Sequence, residues 1–305
     1  MFDLAIIGGG PAGISAGVYA ARKQLKTVFI AETIGGQSID SIDIQNWIGT
    51  PHVVGLDLAK NLEAHIKEYA GDIVDLKIGE RARKVEKMEG GFKVTTSGGT
   101  YETKTVLIAS GGARRKLEIP GAAEFENKGV TYCASCDGPI FAGQDTVVIG
   151  GGNAGFETAA QLLAYAKSVT LLSRTEHKAD PVTVQKVLAH EKMTAYTNID
   201  PIEIKGEKFV KSFVFKKRDT GEQVEIPASG VFVEIGMLPS TDYVKGLVDL
   251  DEFGRVKTNP KNQQTSVPGI WAAGDCTDEL YHQNNIAAGD GVKALEDIYM
   301  FLKAR

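Results

Sequence analysis

The 305 residues are 43% hydrophobic and 24% charged, with a formal charge of −5, the composition of a globular chain large enough for two cores. That acidic balance offers no basic face for nucleic acid, and no apolar run approaches the roughly 20 residues of a membrane-spanning helix. The N-terminal residues Met1–Gly8 lack a basic segment and run straight into glycine, which predicts a first strand and no signal peptide. The chain is expected in the cytoplasm, where a Cys-x-x-Cys is catalytic or metal-binding more often than structural.

Leu4–Ile7 predicts a short buried strand, followed by Gly8-Gly9-Gly10-Pro11-Ala12-Gly13 and an Ala-rich helix to about Lys23. Strand, glycine turn and helix are the context in which G-x-G-x-x-G binds a dinucleotide. Gly8 permits the tight turn, Gly10 lets backbone approach a pyrophosphate, and Gly13 lets the helix pack on the strand. A second strand, Thr27–Ala31, ends at Glu32, whose carboxylate suits a ribose 2′-hydroxyl. Asp57–Ala70 predicts an amphipathic helix. Lys84–Glu102, with turns at Gly90-Gly91 and Gly98-Gly99, predicts a small antiparallel sheet. Val106–Ala109 predicts a buried strand entering Ser110-Gly111-Gly112, and the basic, Pro-containing Arg114–Gly121 reads as an interdomain linker.

Next comes Cys133-Ala134-Ser135-Cys136-Asp137. A cysteine pair at this spacing closes a small ring, and its thiolate attacks another disulfide when a helix N-terminus or a cation lowers the thiol pKa. Asp137 is placed to hold or deliver the proton. Zinc wants about four ligands, and only Cys276 and five histidines without His-x3-5-His spacing remain. Two simply buried thiols are the other ordinary reading.

Thr146–Ile149, Gly150-Gly151-Gly152-Asn153-Ala154-Gly155, a helix to about Ala166 and a strand Val169–Leu172 then repeat the first unit. The shift that lays Gly8 on Gly150 lays Gly13 on Gly155 and Glu32 on Arg174. An acid suits a free 2′-hydroxyl and an arginine a 2′-phosphate. FAD is therefore expected in the first fold and NADPH in the second, with NADH as the alternative; Ser173 and Lys178 add a hydrogen bond and a charge. Lys205–Val224 predicts a charged hairpin interrupting the second fold, which closes with Gly230–Gly236 before the chain crosses back after Pro239. Gly269–Cys276 predicts an apolar strand delivering Asp275 into a glycine turn, where it binds a polyol hydroxyl or caps a last helix from about Asn285.

Together these residues resemble the low-molecular-weight thioredoxin reductase family over essentially the whole chain. The likeness to the flavoprotein core of the alkyl hydroperoxide reductase flavoprotein subunit is carried by Ala31–Gln37, Asp43–Trp47, Lys128–Cys133, Cys136–Pro139 and Ala273–Thr277. The resemblance implies an α/β chain of two Rossmann-like, three-layer ββα nucleotide-binding domains. An NAD(P)H domain carrying the dithiol (116–245) would be inserted into an FAD domain (1–115 and 246–305), with a homodimer held through the FAD domains. It implies FAD contacts from Gly8, Gly10, Pro11, Ala12, Gly13, Glu32, Gly36, Gln37, Asn46, Gly111, Gly274, Asp275, His282, Gln283 and Asn284. It implies NAD(P)H contacts from Gly150, Gly152, Asn153, Ala154, Gly155, Ser173, Arg174 and Lys178. Cys136 would face the flavin and Cys133 would attack the partner's disulfide.

Three departures from the family pattern stand out. The full hydroperoxide-type subunit carries thioredoxin-like domains before this core, whereas this chain opens on the first flavin strand, so the expected acceptor is a separate thioredoxin- or glutaredoxin-like protein. The His-Arg-Arg-x3-Arg of NADPH-using members is replaced by Ser173-Arg174-Thr175-Glu176-His177-Lys178. The Arg-Gln or Lys-Gln beside the flavin is His282-Gln283, with space-filling favoured over protonation for His282. The activity expected is an NAD(P)H-dependent thioredoxin-disulfide reductase. A flavoprotein with a ferredoxin-type donor and a flavin-bearing redox sensor are its rivals. Because one dithiol must reach both flavin and partner, domain rotation is expected, with hinges near Arg114–Pro120 and Gly236–Thr241.

Overall fold

The computed structural model describes residues 1–304. In chain order β1 (Phe2–Ile7), α1 (Pro11–Arg22), β2 (Thr27–Ala31), α2 (Gly55–Ala70) and β3 (Val74–Ile78) lead into β4 (Ala82–Met88), β5 (Gly91–Thr96), β6 (Thr100–Ile108) and β7 (Gly112–Arg114). There follow β8 (Val130–Thr131), the one-turn helix α3 (Ala134–Asp137), β9 (Asp145–Ile149), α4 (Asn153–Leu162), β10 (Ser168–Leu172), α5 (Pro181–Leu188) and β11 (Met193–Tyr196). The chain continues through β12 (Ile199–Gly206), β13 (Val210–Lys217), β14 (Gln223–Pro227), β15 (Gly230–Val233), β16 (Met237–Pro239), β17 (Ile270–Ala272) and α6 (Asn284–Ala304).

Two compact units result: Met1–Ala113 with the segment from Leu238 onward, and Arg114–Met237. In the first, the sheet runs β3-β2-β1-β6-β5-β4, with β17 also on β6. β1, β2, β3, β17 and the later half of β6 are parallel, while β4, β5 and the start of β6 are antiparallel. The expected small antiparallel sheet and the buried strand after it are therefore one continuous sheet, joined through the length of β6. Alternation along the strands gives each face its own core. Leu4, Ile6, Phe29 and Leu107 pack with residues of α1, α2 and α6. Ala5, Ile7, Val28 and Ile108 pack with Val85, Phe92 and Val94 of the hairpin and with Val244 and Val256. Burial on both faces is why these parallel strands read as unbroken apolar runs.

The second unit has the same layering. Its parallel sheet runs β11-β10-β9-β15-β8. On one face Val148, Val169 and Leu171 pack with Phe156, Leu162 and Val187 from the helices. On the other, Val147, Ile149 and Leu172 pack with Phe213 and Phe215 of the antiparallel sheet β12-β13-β14. The stretch expected as a charged hairpin is thus part of a three-stranded sheet, whose lysines mark its outer face and whose phenylalanines are fully buried.

The expected linker after Arg114 also belongs to this unit. Leu117 and Ile119 pack on its core, and the N–H of Ile204 donates to the carbonyl of Pro120 at 3.0 Å. The return falls at Leu238, beside the crossing expected after Pro239 and ahead of the 246 domain boundary, because 238–245 packs on the first unit. Val244 is fully buried there, and the Tyr243 hydroxyl donates to Ser110 Oγ at 3.0 Å. No helix among the described residues is long and apolar enough to cross a membrane.

Candidate active site

The two glycine turns share one geometry. Gly8 and Gly150 have φ of +129° and +138°, and a β-carbon there would lie 2.0 Å from the Ala109 carbonyl oxygen or 2.2 Å from that of Glu234. A β-carbon on Gly13 or Gly155 would lie 1.9 or 2.0 Å from the carbonyl oxygen of Gly8 or Gly150, so each helix closes onto its own turn. α1 follows Gly10 and α4 follows Gly152, and no side chain caps either helix. The free N–H groups and the positive dipole end are therefore open to an anionic ligand.

In the first unit these groups open on a cleft of about 580 Å³ whose walls include Gly8, Gly10, Pro11, Ala12, Glu32, Gly36, Gln37, Gly111, Gly274, Asp275 and Asn284. Glu32 is exposed, with Arg81 Nε 3.9 Å from its carboxylate. Gln37 Nε2 donates to Asp275 Oδ2 at 3.2 Å, and both residues line the cleft. Gly13 packs behind the turn. Asn46, His282 and Gln283 are not among the wall residues. Asn46 Nδ2 donates to Gln283 Oε1 at 3.1 Å, and Asn285 Nδ2 donates to the Asn46 carbonyl at 2.6 Å. His282 Nε2 is buried with no partner among the described residues. A cleft with a glycine cradle, an uncapped helix and an exposed acid among its wall residues fits FAD.

Sequence reasoning missed several members of this wall. Ser38 donates to Asn284 Oδ1 at 2.8 Å, while Arg83, Ser110 and Tyr243 also line the cleft. Ser38 and Ser110 sit beside the named Gln37 and Gly111, whereas Arg83 and Tyr243 carry no local motif.

In the second unit, Ser173 is buried and its hydroxyl donates to the Thr175 carbonyl at 2.7 Å. Its one proton is thus given to its own chain, and its lone pairs are left as acceptors. Asn153 Oδ1 accepts from the Asp180 N–H at 2.8 Å, and the Lys178 N–H donates to the Gly151 carbonyl at 2.7 Å. Ala154 is the second residue of α4, and the Arg174 and Lys178 side chains are exposed. His177, edge-on to Phe156 at 4.9 Å, is held below the ordinary histidine pKa by burial. Glu234 was not singled out in sequence beyond its strand. Its carboxylate accepts from Thr158 Oγ1 at 2.9 Å and lies 3.2 Å from Arg114 Nη1. Burial raises its pKa, and Arg114 opposes the rise.

The same unit carries the cysteine pair. β8 delivers the chain to Cys133, which is disulfide-bonded to Cys136 and caps α3, its Sγ accepting the Cys136 N–H at 3.2 Å. Both sulfur-bearing residues are partly exposed. Burial pushes the Asp137 carboxyl above the usual range, and the Thr131 hydroxyl, which donates to Asp137 Oδ2, pulls it back. Cys276 lies in the first unit as a free, fully buried thiol whose pKa burial pushes up to about 11.

Comparison with known proteins agrees with this layout. The chain is 40% identical over 302 residues to a Bacillus subtilis (strain 168) protein named NADH dehydrogenase, covering 99% of this chain and 58% of that one. It is 42% identical over 298 residues to an alkyl hydroperoxide reductase component of Pseudomonas putida, covering 96% and 56%. It thus spans little more than half the length of these relatives. Among solved structures it is similar to thioredoxin reductase from Streptococcus pyogenes MGAS5005, with TM-score 0.91, 34% identity and coverage of 100% and 99%. It is also similar to thioredoxin reductase from Giardia duodenalis, with TM-score 0.93, 31% identity and coverage of 99% and 98%. Residues 2–291 match pyridine nucleotide-disulphide oxidoreductase, and this flavoprotein-type oxidoreductase with two Rossmann-like folds belongs to that family.

Proposed function

We propose that the chain is an NAD(P)H-dependent thioredoxin reductase-like enzyme that passes electrons through the Cys133–Cys136 disulfide to a thioredoxin- or glutaredoxin-like protein in the cytoplasm. The observation that carries this reading is the partly exposed disulfide beside a half-buried acid, in the same unit as the second dinucleotide turn. The flavin, when bound, supplies two-electron transfer between nicotinamide and disulfide. Gly8, Gly10 and the N-terminus of α1 would hold its pyrophosphate, and Glu32 its adenosine ribose. Gly150, Gly152 and α4 would do the same for the nicotinamide nucleotide. Cys133 is assigned the attack on the partner's disulfide, Cys136 the flavin-facing sulfur, and Asp137 the proton.

NADPH is the assigned donor because exposed Arg174 and Lys178 flank the ribose end where the first unit has an acid. NADH is the competing donor, as the name of the Bacillus relative suggests. The name of the Pseudomonas relative supports a second destination for the electrons, a hydroperoxide-reducing partner. We also assign a homodimer, on the strength of an exposed apolar surface of the first unit.

Purified Cys133→Ser and Cys136→Ser proteins should each retain flavin yet lose reduction of a protein disulfide. Full partner reduction by either would defeat the relay. Mixing the parent anaerobically with each nicotinamide, and reading flavin colour before any acceptor is added, decides the donor; no bleaching by either points to a ferredoxin-type donor.

A further inference from the structure

Resting on the assignment of Cys133 and Cys136 as the exchanging pair, the question is what governs the proton at Asp137. The hydroxyl of Thr131 donates to Asp137 Oδ2, and Thr131 Oγ1 in turn accepts the Cys133 N–H at 3.4 Å. Thr131 is 6% exposed. Its backbone is in register with Phe232 on β15, whose ring meets Phe141 edge-on at 5.4 Å. A hydroxyl has one proton to donate, and given to a carboxyl oxygen it favours carboxylate over carboxylic acid. Burial works the other way.

Few other groups bear on this carboxyl. Its own turn holds Cys133 and Cys136. Tyr132 follows Thr131, and the Tyr165 hydroxyl lies against Gly138, 2.0 Å from where a β-carbon would stand. Burial raises both phenols, so both stay neutral near pH 7. α4 faces the turn with neutral Gln161, which accepts from Ser135 Oγ at 2.9 Å. No charged side chain among the described residues contributes to the shift of Asp137.

We propose that Thr131 is a positioning residue for dithiol exchange: it ties the Asp137 carboxylate to the Cys133 backbone and fixes the pH at which that carboxylate takes the Cys136 proton. In the exchange, the Cys133 thiolate bonds to one partner sulfur and the other leaves as a thiolate. Cys136 gives its proton to Asp137, its thiolate attacks Cys133 Sγ of the mixed disulfide, the Cys133–Cys136 bond forms, and the second partner sulfur leaves. Two electrons pass to the partner, whose thiolates collect two protons, one from Asp137 and one from solvent.

The test uses full-length, flavin-loaded protein reduced in advance and mixed in single turnover with dithiodipyridine across pH, the second thiopyridone released reporting the Cys136 step. The parent rate should rise with pH to a limb set by Asp137. In Thr131→Val that limb should move upward by about one to two pH units, and in Thr131→Ser it should stay at the parent's pH. Asp137→Asn should lack the limb, and adding Thr131→Val should then change nothing. A Thr131→Val limb at the parent's pH overturns the proposal, as does an equal shift in the Asp137→Asn background. A limb that survives Asp137→Asn overturns the role given to Asp137 itself, and the inference with it. Flavin content and disulfide closure in each variant separate these outcomes from misfolding.

Discussion

Two buried oxygens in the first unit, Asp290 Oδ2 and Gln263 Oε1, have no donor among the described residues, although Gln263 Nε2 donates to Asp290 Oδ1 at 3.1 Å. Asp290 is 5% exposed, and burial raises its pKa above the ordinary 3.8, with Lys293 opposing. A carboxyl whose folded pKa is raised contributes fully below its unfolded pKa, and that contribution is lost as pH rises through the folded value. Asp290 therefore costs stability at neutral pH. Asp290→Asn keeps the acceptor and adds a donor for Gln263, at the expense of an ion pair with Lys293 whose lysine end is partly exposed. Thermal unfolding of that variant at pH 7 should come about 2–4 °C higher than the parent's, corresponding to about 1 kcal/mol. The gain should vanish toward pH 3; an equal gain at both pH values would mean that the charge is not the cause.

At the scale of elements, the repeated strand–turn–helix makes the two turns comparable experiments. Gly150→Ala must relieve both a left-handed φ and a 2.2 Å approach to the Glu234 carbonyl. Backbone strain of about 1–3 kcal/mol translates into roughly tenfold to hundredfold weaker pyridine nucleotide binding, with flavin retained. Gly8→Ala should instead lower flavin content, measured by absorbance of the purified protein. Loss of flavin from Gly150→Ala would show that the second turn serves a different ligand from the one assigned. These turns were legible in the sequence because a strand, three glycines and a helix lie within one short stretch. What crowds them was not: Ala109 and Glu234 arrive just past the ends of the neighbouring parallel strands β6 and β15, and nothing local in the sequence marks either as a lid on a glycine. The pairing of Asn46 with Gln283 was likewise invisible to spacing, since resemblance alone named both residues. The hairpin read at Lys205–Val224 forms as antiparallel pairs, but its third strand and buried face were hidden for a related reason: its charges mark only the solvent side of a sheet whose other side is core.

At the scale of the whole molecule, one region of the first unit exposes several large apolar side chains. Ile48 is 82% exposed and Leu280 74%, with Ile42, Leu56 and Tyr281 each above half. Their segments lie side by side, since the Ile48 N–H donates to Asn285 Oδ1 at 3.3 Å. Exposed apolar clusters of this kind mark association surfaces, and the occupant assigned is a second copy of the chain. Ile48→Glu with Leu280→Glu should sediment as a monomer while the parent sediments as a dimer; a monomeric parent would remove the assignment.

The buried Cys276 thiol has a practical corollary. With its proton held far above neutral pH and its sulfur sealed from water, it should escape alkylation as long as the protein stays folded. Mass tags added under native conditions should then register none on the oxidised protein and two on the reduced one, so that the oxidation state of the exchanging pair can be weighed directly.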